Sequence, residues 1–381
     1  MGGDQPHQHP ATPPPDEPDT PASPDNSDRP DGPPNPSNPP RRPRYRGTHP
    51  RTYDERYKEH QPQAYPEQIQ KLVAQGRTPV GTHRPIMVEQ VLHALRLAPG
   101  CVAVDCTLGY GGHAAAILHA IQPNGRLIAI DQDHVELART TRRLNLLGFA
   151  PPALQTHPAN FSQLAQVLAT AAPEGVDAIL ADLGVSSMQL DNPARGFSLK
   201  HDGPLDMRMN PLAGTSARQL LQTINHNQLS QILRDYADVR DPAILARELL
   251  NHQAIRPINT TRELVRAIDD AAPQLGRLSP DDLAHLQRQV FQALRMAVNQ
   301  EPAHLASLLE QVGTALKPGG RLAILTFHSG EDRLVKHSLR QGLRSGLYAG
   351  ISEEPVRAGP DEQRSNPRAK SAKLRWAERS R

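Results

Sequence analysis

The sequence predicts an α/β fold in which a parallel sheet is interrupted by a long all-helical insertion. Three short apolar runs have the length and composition of buried strands, and each ends in an aspartate: Asp105, Asp131 and Asp182. A glycine-rich turn, Gly109-Tyr-Gly-Gly112, follows the first run. Between residues 215 and 298 no strand pattern occurs, and apolar residues recur at helical spacing.

Composition indicates a reducing compartment and no membrane segment. The chain has 381 residues, with 43 Lys+Arg and 40 Asp+Glu, and a net charge of +3. Its two cysteines, Cys101 and Cys106, cannot build a disulfide framework or a zinc knuckle. No apolar run reaches the ~18 residues that a membrane span needs, and there is no secretory signal. We therefore expect a cytoplasmic protein; its oligomeric state is not indicated.

Residues 1–68 are predicted to be a disordered, Pro-rich extension. They contain no Ile, Leu, Val or Phe, so they cannot bury enough apolar surface to offset their ordering entropy. A basic run, Arg41–Arg46, is either solvated or a nucleic-acid contact. The sheet domain is expected in two parts, residues 69–213 and 301–381, around a helical insertion at residues 214–300.

The first elements around the glycine turn are typical of a nucleotide site. Apolar spacing predicts a helix over residues 88–95, then a strand over Val102–Asp105 and a helix over Ala114–Ile121. A strand, glycine turn and helix in this order bind nucleotides in open α/β sheets. Gly109–Ala114 satisfies the looser dinucleotide pattern, but the carboxylate of Asp105 would repel a pyrophosphate and suits an ammonium or sulfonium group, as in S-adenosylmethionine. Dinucleotide binding and a plain tight turn stay open here.

The second strand is predicted over Gly125–Asp131. Asp131 lies about 20 residues beyond the glycines, where an acidic residue binds the ribose hydroxyls of an adenosine ligand. The alternative is that Asp131 is the N-cap of a helix over Val135–Leu144. We favour the ribose role because the strand, the spacing from the glycines and the acidic residue type all match that role.

Two further strands extend the same pattern. Ala153–His157 is expected to be the third, and Phe161 after it either covers an adenine ring or belongs to the core. Val176–Asp182 is the fourth. If these strands are parallel, Asp105 and Asp182 share one rim with Asp131, which indicates a ligand site more specifically than the glycines do.

Loops and helices follow. Residues 195–199 and 204–209 have no clean period and are expected to be ordered loops. Thr260–Glu263 is a capping box, and apolar spacing over residues 283–297 predicts a long helix.

The sheet is predicted to resume near the C-terminus. A helix over residues 305–316 should stop at Pro318-Gly-Gly320, and a fifth strand over Arg321–Phe327 should lead into His328–Arg333 at the ligand rim. The C-terminal residues 364–381 are rich in Lys and Arg, and they form either a groove that binds phosphates or a solvated tail. Their basic residues are Arg364, Arg368, Lys370, Lys373, Arg375, Arg379 and Arg381.

The motifs favour methyl transfer over other chemistries. His328, Ser329 and Asp332 are too close on one loop for a typical hydrolytic triad, and no phosphate-binding G-x-x-x-x-G-K-[ST] motif is present. The histidines have no metal-ligand spacing, so no metal is expected. A sulfonium is already activated, so the protein must chiefly align donor and acceptor. Asp182 is our catalytic candidate, because its carboxylate could accept an amine proton of a nucleic-acid base.

Taken together, the motifs resemble those of the bacterial H-type small-subunit ribosomal RNA methyltransferases. The resemblance covers about residues 80–381 in family order. The matching stretches are His83–Met87, Asp105–His113, Ile130–Asp133, Asp182–Asp191, Arg195–Ser198, Gly203–Met209, Phe291–Asn299, Phe327–Arg333 and Asn366–Arg375.

This resemblance implies a class I S-adenosylmethionine-dependent methyltransferase (Rossmann-like) sheet whose helical insertion serves the substrate. It implies N4-methylation of a cytidine in 16S rRNA of the small ribosomal subunit, with S-adenosylmethionine as cofactor. Substrate-binding candidates in the matching motifs are Arg208, His328 and Arg333. The residues implied to bind the cofactor are Gly111, Gly112, His113, Asp131, Phe161, Asp182 and Gln189.

Four departures from the family pattern concern the substrate side. Gly330 stands where Leu is usual and Asn210 where Asp is usual, and residues 236–240 and 285–288 differ from the family's runs. Cofactor binding is therefore the firmer expectation. A methyltransferase for DNA or protein, a non-catalytic RNA-binding assembly factor and a dehydrogenase are the alternatives.

Overall fold

A mixed sheet is the centre of the molecule. The computed structural model describes Met1, Gly2 and residues 85–381, so the predicted extension over residues 1–68 lies, from residue 3 on, outside the described residues. Within them, seven strands form one sheet in the order β3-β2-β1-β4-β5-β7-β6. The strands are β1 (Val102–Asp105), β2 (Arg126–Asp131), β3 (Leu154–Pro158), β4 (Val176–Asp182), β5 (Leu316–Thr326), β6 (Tyr348–Ile351) and β7 (Lys373–Arg379). Strands β1 to β5 are parallel, and β7 runs antiparallel to both of its neighbours.

Helices cover both faces of this sheet and form the insertion between β4 and β5. The α-helices of the described residues are α1 (Val88–Leu95), α2 (Gly112–Ile121), α3 (His134–Leu146), α4 (Leu164–Ala171), α5 (Ser187–Asp191), α6 (Ala217–Thr223), α7 (His226–Ala237), α8 (Pro242–Ile255), α9 (Thr261–Ala271), α10 (Pro280–Val298), α11 (Glu301–Ala315), α12 (Ser329–Arg344) and α13 (Pro360–Ser365). Among these residues, none of the helices is both long and apolar enough to cross a membrane.

The side chains of the strands alternate between two apolar clusters. On β5, Ala323 and Leu325 face the cluster that contains α1, α2 and α3, whereas Leu322 and Ile324 face the cluster that contains α4, α11 and α12. Because both faces are covered, the strands read as continuous apolar runs, as expected for a parallel sheet.

The predicted strands and the shared rim are confirmed. Strands β1 and β4 have the predicted bounds, and β2 begins one residue later than predicted. Strand β1 lies between β2 and β4, with Asp105 opposite Ala129 and Leu180. Asp131 and Asp182 therefore lie two residues beyond Asp105 at the same edge of the sheet.

The insertion has an apolar cluster separate from those of the sheet. This cluster runs from Phe197 to Leu294 and takes its residues from α6 to α10 and the preceding loop. The predicted capping box is present, since the hydroxyl of Thr260 accepts from the N–H of Glu263 and the carboxylate of Glu263 accepts from the N–H of Thr260. The predicted division into domains at residues 213/214 and 300/301 stays a prediction.

The C-terminal expectation was wrong in two respects. Residues 316–320, expected to end a helix, already belong to β5. Lys373, Arg375 and Arg379, expected in a phosphate groove or a solvated tail, instead belong to β7 inside the sheet, whereas Arg364, Arg368 and Lys370 are exposed. Arg375 is 2% exposed and donates to Asp332 over 2.6 Å, and Lys373 donates to the same carboxylate. Their charges are thus neutralised within the fold.

Candidate cofactor site and substrate rim

The glycine turn packs closely against α3 and Pro85. Gly111 has a φ of +79°, and a Cβ there would lie 2.7 Å from Cγ2 of Thr140. A Cβ on Gly112 would lie 2.6 Å from Cγ of Pro85. The hydroxyl of Thr140 donates to the carbonyl of Gly109 over 2.6 Å. Both predicted cofactor glycines are therefore required by the fold itself, whereas a Cβ on Gly109 would meet no atom closer than 3.7 Å.

Asp131 organises the loop between β2 and α3. Its carboxylate accepts from the N–H of Gly109 at 2.7 Å and from the N–H of Asp133 at 2.8 Å. The N-cap of α3 is Asp133, so the alternative interpretation of Asp131 as that cap was wrong. Burial raises the pKa of Asp131 to about 6, against the lowering effect of the two N–H donors. Each oxygen keeps a second lone pair, which is the acceptor capacity that two ribose hydroxyls require.

His113 and Asp182 form a close pair at the rim. Nδ1 of His113 lies 3.4 Å from Oδ2 of Asp182, and its Nε2 lies 2.9 Å from the carbonyl oxygen of Ile86. A carbonyl only accepts, so Nε2 carries a hydrogen and Nδ1 faces the carboxylate. Burial opposes protonation of His113, but the hydrogen bond and charge of Asp182, with the charge of Asp105, outweigh it and raise the pKa of His113.

Two carboxylate oxygens at this rim lack a hydrogen-bond partner. Within residues 85–381, Oδ2 of Asp105 and Oδ1 of Asp182 are buried and accept no hydrogen bond. Burial raises the pKa of Asp105 to about 6, although the N–H of Thr107 and the charge of His113 lower it. An unpaired buried carboxylate is costly, and a bound cation offsets that cost. This donor set, with Asp131, fits a ligand that carries an ammonium group and a ribose.

Phe161 and Gln189 lie on the loops beside this rim. Phe161 begins a 3₁₀ turn after β3 and meets the ring of His304 edge-on, with ring centroids 6.4 Å apart. Oε1 of Gln189 accepts from the N–H of Ser186 at 3.0 Å, and its Nε2 donates to Asp133 at 3.1 Å. The side chain of Gln189 therefore holds α5 against the loop after β2, a positioning contact that the sequence did not indicate.

A buried ion pair that was not predicted from the sequence joins the loop after β2 to the segment between α5 and α6. Nη1 of Arg195 donates to Asp133 over 2.7 Å. Nη2 of Arg195 donates to the carbonyls of Arg208 and Met209 over 2.9 and 2.8 Å. The Asp133 side chain is 1% exposed and that of Arg195 is 13% exposed. The sequence offered a clue to this ion pair, because Asp133 and Arg195 both lie in motifs that carried the family resemblance.

The three substrate candidates lie in two places. Arg208 donates to both carboxylate oxygens of Asp206, at 2.7 Å each. His328 is the N-cap of α12, and its Nε2 lies 3.1 Å from Oε1 of Glu331. Burial of Glu331 would raise its pKa, but His328 and Arg295 outweigh this and lower it.

His328 and Arg333 share a polar cleft of about 230 Å³ between α7, α10 and α12. Arg208 is not among the residues that line it. Three of the four departures from the family pattern fall on this cleft, since Tyr236, His285 and Gly330 line it. The cleft is thus the part of the substrate side in which this chain differs most from the family pattern. In residues 85–381, no group of three or more His, Cys, Asp and Glu is arranged to hold a metal ion.

Comparisons with known proteins show the family of this chain. The model of the MraW methylase family matches residues 81–380. "Ribosomal RNA small subunit methyltransferase H 2" of Alkaliphilus metalliredigens is 44% identical over 338 residues, which cover 88% of this chain and 96% of that protein. "Ribosomal RNA small subunit methyltransferase H 1" of Lachnoclostridium phytofermentans is 42% identical, with coverage of 88% and 91%. The corresponding protein of Acidobacterium capsulatum is 37% identical, with coverage of 78% and 98%. With this match over most of its length, the chain belongs to the MraW methylase family.

Proposed function

We propose that the protein transfers the methyl group of S-adenosylmethionine to N4 of a cytidine in 16S rRNA, with the small ribosomal subunit as substrate. The fold is the class I methyltransferase sheet with a helical insertion that the sequence predicted. The observation that carries the proposal is the rim of Asp105, Asp131 and Asp182 in a chain 37–44% identical to curated small-subunit rRNA methyltransferases. Those names favour rRNA over DNA or protein as acceptor. A ribosomal substrate also implies a cytoplasmic enzyme.

The residues of the rim divide the binding of the cofactor between them. Asp131 would accept from the ribose hydroxyls, and the unpartnered oxygens of Asp105 and Asp182 would hold the ammonium group. Gly111, Gly112, His113, Phe161 and Gln189 would complete the site. When bound, S-adenosylmethionine supplies a methyl group already activated by its sulfonium. The protein then has to orient the acceptor and exclude water.

Asp182 is the candidate for the chemical step. The exocyclic amine of cytosine is a weak nucleophile because its lone pair is delocalised into the ring. A carboxylate that accepts an amine hydrogen favours the tetrahedral nitrogen, whose lone pair is free to attack. His113 occupies Oδ2 of Asp182, so Oδ1 remains for the cofactor or for the amine. No strong base is needed before attack, because the proton can leave afterwards.

The decisive experiment is nucleoside mass spectrometry of 16S rRNA. Small subunits from a strain that lacks the gene are incubated with the purified protein and S-adenosylmethionine. We expect N4-methylcytidine to appear with the wild-type protein and to be strongly reduced with Asp131→Ala. Methylation of another nucleoside, or of a ribosomal protein, would replace the proposed acceptor, and absence of any methyl transfer would refute the proposal.

A further inference from the structure

The solvent face of α12 carries a stripe of basic residues that begins at the polar cleft. Arg333, His337, Arg340 and Arg344 follow one another at helical spacings of four, three and four residues, which places them on one face. All four side chains are exposed, and Lys336 flanks them. We refer to these five residues as the α12 stripe. At about 1.5 Å per residue, it extends for roughly 16 Å along the helix.

The stripe is not neutralised inside the protein. The only acidic residues of α12 are Glu331 and Asp332, and both are turned inward: Glu331 is buried and Asp332 binds Lys373 and Arg375. Within residues 85–381, none of the stripe's side chains forms an ion pair or a hydrogen bond. Other exposed arginines do face carboxylates. These pairs are Arg139–Glu136, Arg247–Glu248, Arg262–Asp202 and Arg364–Asp361.

The position of the stripe connects it to the reaction rim. Helix α12 follows β5 directly, and His328 at its N-cap lines the cleft together with Arg333. Asp235 and Asp238 are the acidic residues of that cleft, and they lie at the start of the stripe. The acidic residues of the cleft therefore lie at one end of the stripe, and its basic residues continue away from the cleft along the helix.

We propose that the α12 stripe binds the phosphate backbone of the RNA strand on one side of the target nucleotide. This inference rests on the proposed function, since it assigns a surface to the RNA substrate. An extended row of unpaired basic side chains, four of them Lys or Arg, matches a polyanion whose charges repeat along one direction, and contacts to phosphates fix register without reading sequence. The stripe positions the strand so that a nucleotide next to it can enter the cleft region.

The test is the salt dependence of RNA binding by a double variant, Arg340→Gln with Arg344→Gln. The matched control is Arg142→Gln with Arg256→Gln, which removes two exposed cations from α3 and from the loop after α8. Fluorescence anisotropy with a labelled short single-stranded RNA measures the association constant between about 50 and 200 mM salt. Each lost phosphate contact lowers the magnitude of the slope of log association constant against log salt concentration by about 0.7. We therefore expect the double variant to lower this slope by about 1.4 and to bind RNA about 25-fold more weakly near 100 mM salt.

The control variant should keep the wild-type slope. A stripe variant that binds RNA with the slope and affinity of the control overturns the inference, and so does a wild-type protein that does not bind RNA. Vesicles of anionic phospholipid serve as a second probe. Loss of vesicle binding with unchanged RNA binding would assign the stripe to a membrane surface and also overturn the inference.

The outcomes separate this inference from the proposed function. If the wild-type protein forms N4-methylcytidine and the stripe variant binds RNA like the control, only the stripe assignment fails. If the stripe variant loses RNA affinity and the wild-type protein forms no N4-methylcytidine, only the proposed reaction fails. Calorimetric titration with S-adenosylmethionine shows that each variant keeps an intact cofactor site.

Discussion

Replacing Asp105 with Asn should stabilise the protein at neutral pH while weakening cofactor binding. Asp105 is 1% exposed, and Oδ1 accepts from the N–H of Thr107 at 3.0 Å, which an Asn oxygen can also do. Burial raises the pKa of Asp105 from 3.8 to about 6. Between these values the native state binds more protons than the unfolded state, so stability falls as pH rises through this window.

The size of the effect follows from the pKa difference. About two pKa units at 1.36 kcal/mol each give a cost of about 3 kcal/mol once Asp105 is ionised in both states. The uncharged Asn variant avoids this cost. Its advantage over the wild-type protein should grow from under 1 kcal/mol near pH 4 to about 3 kcal/mol at pH 8. At roughly 2–4 °C per kcal/mol, the rise in Tm is readily measured.

Urea unfolding and calorimetry from pH 4 to pH 8 provide the measurement. Asp361→Asn is the control, because the side chain of Asp361 is 94% exposed and its replacement should leave the pH profile unchanged. Affinity for S-adenosylmethionine should fall in the Asp105 variant, since the carboxylate that we propose to hold the ammonium group is lost. An Asn variant that is no more stable than the wild-type protein at pH 8 would refute the argument that burial of this charge destabilises the fold.

Three further changes test the site. Asp131→Ala should weaken S-adenosylmethionine binding by about 1–3 kcal/mol, roughly 5- to 150-fold, and unchanged affinity in calorimetric titration would place the ribose elsewhere. Asp182→Asn should lower the single-turnover rate at saturating cofactor and RNA by about 10²-fold, or 2.7 kcal/mol, with RNA affinity retained; a normal rate would remove Asp182 from the chemical step. Gly111→Ala should lower the free energy of unfolding in urea by about 2–4 kcal/mol, because the cost of a left-handed φ adds to the cost of a clash with Thr140. Gly148→Ala, with a φ of +92° and no atom within 4 Å of the added Cβ, should cost only about 1–2 kcal/mol, and equal losses would mean that the clash is relieved.

Sequence reasoning succeeded where one local pattern determines one element. Strand β4 is a run of apolar residues buried on both faces, and its bounds matched the prediction. The rim of aspartates followed from strand direction alone, because parallel neighbours place their carboxyl ends at one edge. The capping box at Thr260 likewise needs only residues three positions apart.

Prediction from the sequence failed where the environment of a residue depends on a partner that is distant in sequence. Arg375 looked like part of a solvated basic tail, yet Asp332 neutralises it, and the two are 43 residues apart in sequence. The same applies to Asp133, whose partner Arg195 lies 62 residues away. Burial of such charges depends on tertiary pairing, which no hydrophobic period reveals. The unpaired α12 stripe also required the structure, because only there could each cation be tested for a partner.

The position of β7 affects how the chain folds during synthesis. Within residues 85–381, strand β6 pairs only with β7, and β7 also covers the edge of β5. Until residues 373–379 have been translated, β5 presents an open row of N–H and C=O groups, and Asp332 lacks its arginine. Exposed edges of this kind pair readily with other chains. At about 5–20 residues per second, the nascent protein therefore spends seconds after β5 is made as a sheet with an unprotected edge, and a chaperone that covers this edge would protect it from other chains.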